Sequence, residues 1–124
     1  MSKPPVKQTN IILEELRKYT YHFSNEKELQ EAIYIVLEDL KDCIGEVKRE
    51  KELPSGIIDF YVIQHKIGIE VKIQGSDLEI TRQLEKYINE EEIDSIILVT
   101  SKWAYNLPKT LSGKPITVLW IPNF

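Results

Sequence analysis

The sequence predicts a domain of the α/β or α+β class, in which helices flank one mixed β-sheet. Three observations point to this class: segments with helical periodicity, short apolar segments bounded by turn residues, and a helical segment between two of those strands. The chain has 124 residues and is 42% apolar, which fits a single domain over residues 1–124 with a substantial core.

Two helices are expected before the first strand. Residues 9–20 have apolar side chains near helical spacing, and residues 25–42 carry a broad apolar stripe that predicts a stronger amphipathic helix. Ser24 or Asn25 can cap the start of the second helix, and Gly45 lies just beyond its end.

Three strands are expected next. The polar segment 46–53 is a plausible edge strand, and the turn 54–56 separates it from the strand 57–63. A third strand spans 67–73 after the short link 64–66, and so short a link predicts an antiparallel hairpin.

The remaining elements predict a parallel crossover. Residues 76–92 read as a helix that begins with a capping box between Ser76 and Glu79. The apolar strand 94–101 is expected at the centre of the sheet, and 115–122 is expected to be the last strand. Because a helix precedes it, the strand 94–101 can lie parallel to a neighbour.

Composition limits the classes of function and location. The net charge of −4 argues against a protein that coats nucleic acid indiscriminately, but it leaves room for an enzyme with a few well-placed cations. The single cysteine, Cys43, favours an intracellular, cytoplasmic setting and is expected to be a small buried residue. No segment has the apolar length of a membrane span or the pattern of a signal peptide.

Ionisable residues stand inside the two apolar strands 57–63 and 67–73. Side chains alternate between faces along a strand, so Asp59 and Glu70 are expected to point the same way in the hairpin. The same alternation predicts that Ile58, Phe60 and Val62 share the opposite face. Gly68, on the charged side, is expected to leave room for a ligand or another backbone.

Two interpretations of these charges are open. One is the solvent-facing side of a half-exposed sheet, with a surface contact between Glu70 and Lys72. The other is a site for Mg²⁺ or Mn²⁺, held by the carboxylates of Asp59 and Glu70 with a main-chain carbonyl at or next to Val71. In that site Lys72 would position water and stabilise negative charge, which is the chemistry of phosphodiester hydrolysis.

The pattern "GIID", a ten-residue gap and "EVK" resembles the PD-(D/E)xK nuclease superfamily. The resemblance implies a restriction-endonuclease-like core of helix, three antiparallel strands, helix and strand, with an N-terminal helix and a C-terminal strand added. It implies that Asp59 and Glu70 bind metal and that Lys72 is catalytic. Ser-Gly-Ile-Ile precedes Asp59, whereas the nominal motif has Pro, at a position that is loose in the family.

The following helix contains "QLEKY", in which Gln83 and Tyr87 share one face. This pair is similar to the Q-x-x-x-Y motif of the branch with recombination-associated exonucleases, where it lies beside the active site and helps to position the substrate. From the residues alone, Tyr87 is equally a member of the buried stripe and Gln83 a surface helix former.

Many members of the superfamily also carry a glutamate on the first core helix. Glu26, Glu28 and Glu31 are the candidates, and Glu28 is expected to approach the sheet best. Its alternative role is to close a capping box with Asn25.

The predicted function is a Mg²⁺-dependent deoxyribonuclease, with endonuclease action preferred. Alternatives are a non-catalytic nucleic-acid-binding or assembly module and, as a subtype of the nuclease, a Holliday-junction resolvase that requires a homodimer. The apolar segment 116–124 can supply a dimer interface or complete the sheet of the monomer. Trp103, Tyr105 and Trp120 are candidates for stacking on bases.

Overall fold

A computed structural model describes residues 5–102 and 106–122, and in these ranges it contains four α-helices, one turn of 3-10 helix (Ile63–His65) and one six-stranded sheet. The helices are α1 (Val6–Arg17), α2 (Glu26–Asp39), α3 (Lys41–Ile44) and α4 (Asp77–Ile88). The strands are β1 (Val47–Leu53), β2 (Gly56–Val62), β3 (Ile67–Lys72), β4 (Ser95–Thr100), β5 (Thr110–Leu111) and β6 (Lys114–Trp120).

The sheet is mixed, with the spatial order β1-β2-β3-β4-β6-β5. β1, β2 and β3 are antiparallel neighbours, β3, β4 and β6 run parallel, and the short β5 pairs antiparallel with β6. The expected hairpin, the crossover through α4 and the central position of β4 are confirmed. β6 lies inside the sheet between β4 and β5, so this segment completes the sheet of the monomer.

Two cores cover the two faces of the sheet. The first lies under α1, α2 and α3 and receives Phe60, Ile69 and Ile97 from the strands. The second lies under α4 and receives Ile96 and Leu98 among other strand residues. All six residues of β4 are buried because this strand is covered on both faces, which explains its continuous apolar sequence.

Helix boundaries follow the local capping chemistry. The side chain of Asn25 accepts a hydrogen bond from the Glu28 amide, and Ser76 does the same for the Glu79 amide, so both expected caps form. The predicted helix 25–42 breaks at Leu40, whose ψ of 1° is not helical, and α3 follows it. α4 ends at Ile88, before the predicted 92, because the chain must turn for the Asp94 amide to donate to the Lys66 carbonyl.

The expectation that Cys43 is buried is wrong, since this residue is exposed on the four-residue helix α3, where only Ile44 is buried. Trp103 and Tyr105 lie outside the described residues. In the ranges 5–102 and 106–122, none of the helices combines the length and apolarity that crossing a bilayer requires.

The side chains of β2 stop alternating regularly between the two faces of the sheet at Asp59. Phe60 and Val62 pack in the first core, but Ile58 packs in the second, so the prediction that these three residues share a face is wrong. The neighbouring strand is irregular at the same place: the β1–β2 register skips the pairing of Glu50 with Asp59, and Glu50 has a φ of 49°. A non-glycine residue in this left-handed region twists the strand locally.

Gly68 makes room for a core side chain, which corrects the expectation that it admits a ligand or another backbone. A Cβ atom at Gly68 would lie 2.4 Å from Cδ1 of Ile58 and 3.2 Å from Cδ1 of Ile93. The side chain of Ile58 therefore occupies the space above Gly68 because β2 has turned it onto this face.

We expect Gly68→Ala to lower the free energy of unfolding by about 1–3 kcal/mol, because the new methyl group overlaps Ile58. Ile58→Val alone should cost about 0.5–1.5 kcal/mol. The loss of stability in the double variant should be smaller than the sum of the two single losses by at least about 0.5 kcal/mol, because valine lacks the Cδ1 that overlaps the new methyl group. Urea unfolding of the four proteins measures this, and strictly additive losses would contradict the packing described.

Candidate active site

Asp59 and Glu70 lie where β2 and β3 separate. The β2–β3 ladder ends at the pair Phe60 and Ile69, and beyond it two carboxylates take over the main-chain hydrogen bonding. The Asp59 amide donates to Oε1 of Glu70 at 3.1 Å, and the Val71 amide donates to Oδ2 of Asp59 at 2.8 Å. The two side chains therefore bridge the strands in place of main-chain carbonyls and are brought side by side.

Burial makes this pair electrostatically unusual. Glu70 is 1% exposed and Asp59 is half-buried. Burial, followed by the adjacent negative charge of Asp59, raises the pKa of Glu70 to about 9. Burial also raises the pKa of Asp59, against the lowering effect of the Val71 amide. Two carboxyl groups that share one site do not both ionise readily, so the pair retains a proton near neutral pH.

Lys72 is the nearest cation to the pair. Its Nζ lies 3.8 Å from Oε2 of Glu70, and its side chain is half-buried at the end of β3. At this distance the ammonium group offsets part of the negative charge on Glu70. Val71, between the two, buries its side chain in the first core, so only its main chain can take part in the site.

Gln83 and Tyr87 approach the same place from α4. The Tyr87 hydroxyl donates to the Ile57 carbonyl at 2.7 Å and accepts from Nε2 of Gln83 at 3.3 Å. Burial and then the charge of Glu70 raise the pKa of Tyr87, which places this hydroxyl within the field of the carboxylate pair. Tyr87 therefore belongs both to the buried stripe of α4 and to the surroundings of the pair, and it holds the start of β2.

α2 adds two polar side chains from the other face of the sheet. Gln30 lies close enough to Asp59 to lower the pKa of its carboxyl slightly, and Oε1 of Glu26 accepts from the Ile73 amide at 3.2 Å. The sequence reasoning missed Gln30. A signal was present, because Gln30 stands three residues before the buried Ile33 and therefore shares the inward face of the helix.

The other two helix glutamates are held elsewhere. The Glu28 carboxylate accepts from the Ser24 amide at 2.7 Å while the Glu28 amide donates to Asn25, so Glu28 is held in the exposed cap of α2. Glu31 forms an ion pair with Arg49. The structure therefore brings Asp59, Glu70, Lys72, Gln83 and Tyr87 together but leaves Glu28 at the helix start, and Glu26 is the glutamate that contacts the end of β3.

The donor set fits a hard divalent cation with few protein ligands. Within the described parts of the chain there is no group of three or more His, Cys, Asp or Glu side chains that could hold a metal ion. The carboxylates of Asp59 and Glu70 remain, with the main chain of Val71 beside them. Mg²⁺ is commonly held by one or two carboxylates, with water and substrate oxygens at the other positions. Metal binding releases protons from its ligands, so a cation bound here would replace the proton that the two acids retain.

Comparison of the chain with protein-family models, with curated proteins and with solved structures finds no match. The function is therefore inferred from the geometry of the carboxylate pair and its neighbours.

We expect Glu70→Gln to stabilise the protein increasingly as pH rises. The pKa of Glu70 rises from about 4.5 to about 9 on folding, so the folded state keeps a proton that the unfolded chain releases in this window. The stability that protonated Glu70 contributes to the wild type is fully present at low pH and is lost as pH rises towards 9. Glutamine never ionises and still accepts the Asp59 amide.

The difference in unfolding free energy between Glu70→Gln and wild type should be near zero at pH 4 and reach at least about 1 kcal/mol at pH 8. Chemical denaturation across this pH range provides the measurement. The exposed Glu91→Gln serves as the matched control and should show no such trend. A Glu70→Gln curve parallel to wild type would show that Glu70 is ionised in the folded protein.

Proposed function

We propose that this protein is a Mg²⁺-dependent nuclease that hydrolyses DNA phosphodiester bonds, acting as an endonuclease, with Mn²⁺ able to substitute. The observation that carries the proposal is the pairing of Asp59 and Glu70 beside Lys72 at the point where two strands part. A buried acid pair next to a cation is costly for stability, and such arrangements are concentrated at functional sites.

The arrangement of elements supports the same proposal. α2, the antiparallel strands β1 to β3, α4 and the parallel strand β4 follow in the order of a restriction-endonuclease-like core. α1 and the β5–β6 segment are then additions to that core. Asp59, Glu70 and Lys72, which lie together where β2 and β3 part, are the residues to which the PD-(D/E)xK resemblance gives metal-binding and catalytic roles.

Each residue then has a defined role in hydrolysis. Asp59 and Glu70, with the Val71 carbonyl, would hold the cation, which would polarise the phosphoryl group and lower the pKa of a water molecule. The water oxygen adds to phosphorus and gives up a proton, the bond to one bridging oxygen breaks, and that oxygen takes up a proton. Lys72 donates hydrogen bonds to the water and to the developing negative charge. Tyr87 and Gln83 fix the start of β2, and Gln30 lies beside the Asp59 carboxylate.

A non-catalytic binding or assembly module is the second candidate, and one observation favours it. Both carboxylates already accept main-chain hydrogen bonds, so they also serve to close the gap between β2 and β3. Metal binding and cleavage separate this purely structural role from the catalytic one.

We expect Lys72→Gln and Asp59→Asn each to reduce Mg²⁺-dependent DNA cleavage by at least about a hundredfold, because each removes a charge at the reacting centre. A panel of single-stranded, duplex and branched DNA, with matching RNA, provides the assay. Lys48→Gln, which removes an exposed lysine from β1, should cleave as wild type does. Full activity in either site variant, with the fold intact by circular dichroism, would refute these assignments.

Metal binding can be tested without any substrate. Calorimetric titration of the wild type with Mg²⁺ or Mn²⁺ should show binding, whereas the Asp59→Asn/Glu70→Gln double variant should show none. The amide groups keep the hydrogen-bonding acceptors but lose the charge that a hard cation needs. If the wild type binds neither ion and cleaves no nucleic acid in the panel, the module is the correct interpretation.

A further inference from the structure

We propose that the groove beside α4 binds the backbone of single-stranded DNA, with Arg82 and Lys86 as its phosphate-binding residues. This inference rests on the proposed nuclease function, for which it identifies the surface that receives the substrate strand. The α4 groove is defined here by Ser55, Lys72, Gln74, Arg82, Gln83 and Lys86, which are among its lining residues.

The α4 groove leads to the carboxylate pair. It has a volume of about 450 Å³, and Lys72, Gln83 and Tyr87 belong both to its wall and to the surroundings of Glu70. One side is α4 and the other includes the β1–β2 turn, where the Ser55 hydroxyl donates to the Lys86 carbonyl. A strand lying in the groove would therefore pass directly over Lys72.

The cations of the groove are arranged along one strip of α4. Arg82 and Lys86 are four residues apart, so they share a helical face and are separated by about 6 Å along the axis. That separation is comparable with the distance between successive phosphates on an extended strand. Both side chains are exposed, and in the described parts of the chain neither forms an ion pair or a side-chain hydrogen bond.

The charge of the α4 groove distinguishes it from the groove on the α2 side of the sheet. The described residues that line the α4 groove include three cations, Lys72, Arg82 and Lys86, against one acid, Glu79. The groove on the α2 side, of about 510 Å³, has three acids and two cations among its described lining residues, which are Glu26, Glu31 and Glu50 with Lys27 and Arg49. In a protein of net charge −4, a polyanion is therefore attracted to the α4 side of the site.

The dimensions of the site favour a single strand over a duplex. Glu70 is 1% exposed, so the reacting phosphate has to descend between α4 and the start of β2 to reach it. A duplex needs a contact surface of about 1,000–2,500 Å² for specific binding, whereas a single strand follows a narrow charged groove a few nucleotides at a time.

The lining chemistry also predicts binding without sequence preference. Among the described residues that line the groove, Tyr87 is the one aromatic residue and is 4% exposed, so these residues offer bases little ring surface for stacking. The groups available are charges and hydrogen-bond donors, which recognise phosphate rather than base edges.

The test is the binding of a fluorescein-labelled 20-nucleotide DNA strand of mixed sequence in a buffer with EDTA, so that no hydrolysis occurs. The variants are Arg82→Gln/Lys86→Gln and the matched control Lys7→Gln/Arg17→Gln. The control removes the same charges from α1, across the sheet, where both residues are exposed. Anisotropy is measured over a series of salt concentrations.

We expect the groove variant to bind about tenfold more weakly than wild type. The slope of the logarithm of the association constant against the logarithm of salt concentration should become less steep by about 1.4. This is about 0.7 for each phosphate that the variant no longer neutralises. The control should bind as wild type does. Equal binding and slope in the groove variant, tighter binding of the matched duplex, or no binding by the wild type would each overturn the inference.

The outcome is separable from that of the proposed function. If binding depends on Arg82 and Lys86 but no nucleic acid is cleaved with Mg²⁺ or Mn²⁺, the groove assignment stands and the nuclease proposal fails. If Lys72-dependent cleavage occurs while the groove variant binds and cleaves as wild type does, the nuclease proposal stands and the groove assignment fails.

Discussion

Where β2 and β3 separate, the carboxylates of Asp59 and Glu70 continue the hydrogen bonding that the main chain can no longer make. The Asp59 and Val71 amides would otherwise lie between two strands without acceptors. A buried amide without a partner costs about 1–3 kcal/mol, so the carboxylates allow the strands to part without that loss. The opening at this end of the sheet depends on their presence.

The surroundings of the pair come from both faces of the sheet. α2 contributes Gln30 to Asp59, while α4 contributes Tyr87, which holds the Ile57 carbonyl at the start of β2. The change of face at Asp59 turns Ile58 towards α4 and leaves Phe60 towards α2. The irregular position of Glu50 in the edge strand accompanies that change.

The carboxylate pair also lowers the stability of the folded protein as pH rises. Burial of two neighbouring acids raises the pKa values of both groups, so the folded protein retains a proton at the site where the unfolded chain would release it. A core built for stability alone would place apolar side chains there. Lys72 and the three-cation lining of the α4 groove add a local positive charge to an acidic protein, which suits an anionic substrate close to a shared carboxylate site.

The sequence by itself determined the mixed sheet, the β2–β3 hairpin, the caps at Asn25 and Ser76, and the proximity of Asp59 to Glu70, because periodicity, capping and hairpin register are local properties. Tertiary structure decided the rest. Glu28 proved to be a cap residue and Gln30 a neighbour of Asp59, since which helix side chain reaches the sheet depends on how α2 docks. The face of Ile58 and the filling of the space above Gly68 accompany an irregularity in another strand, which no pattern within β2 encodes.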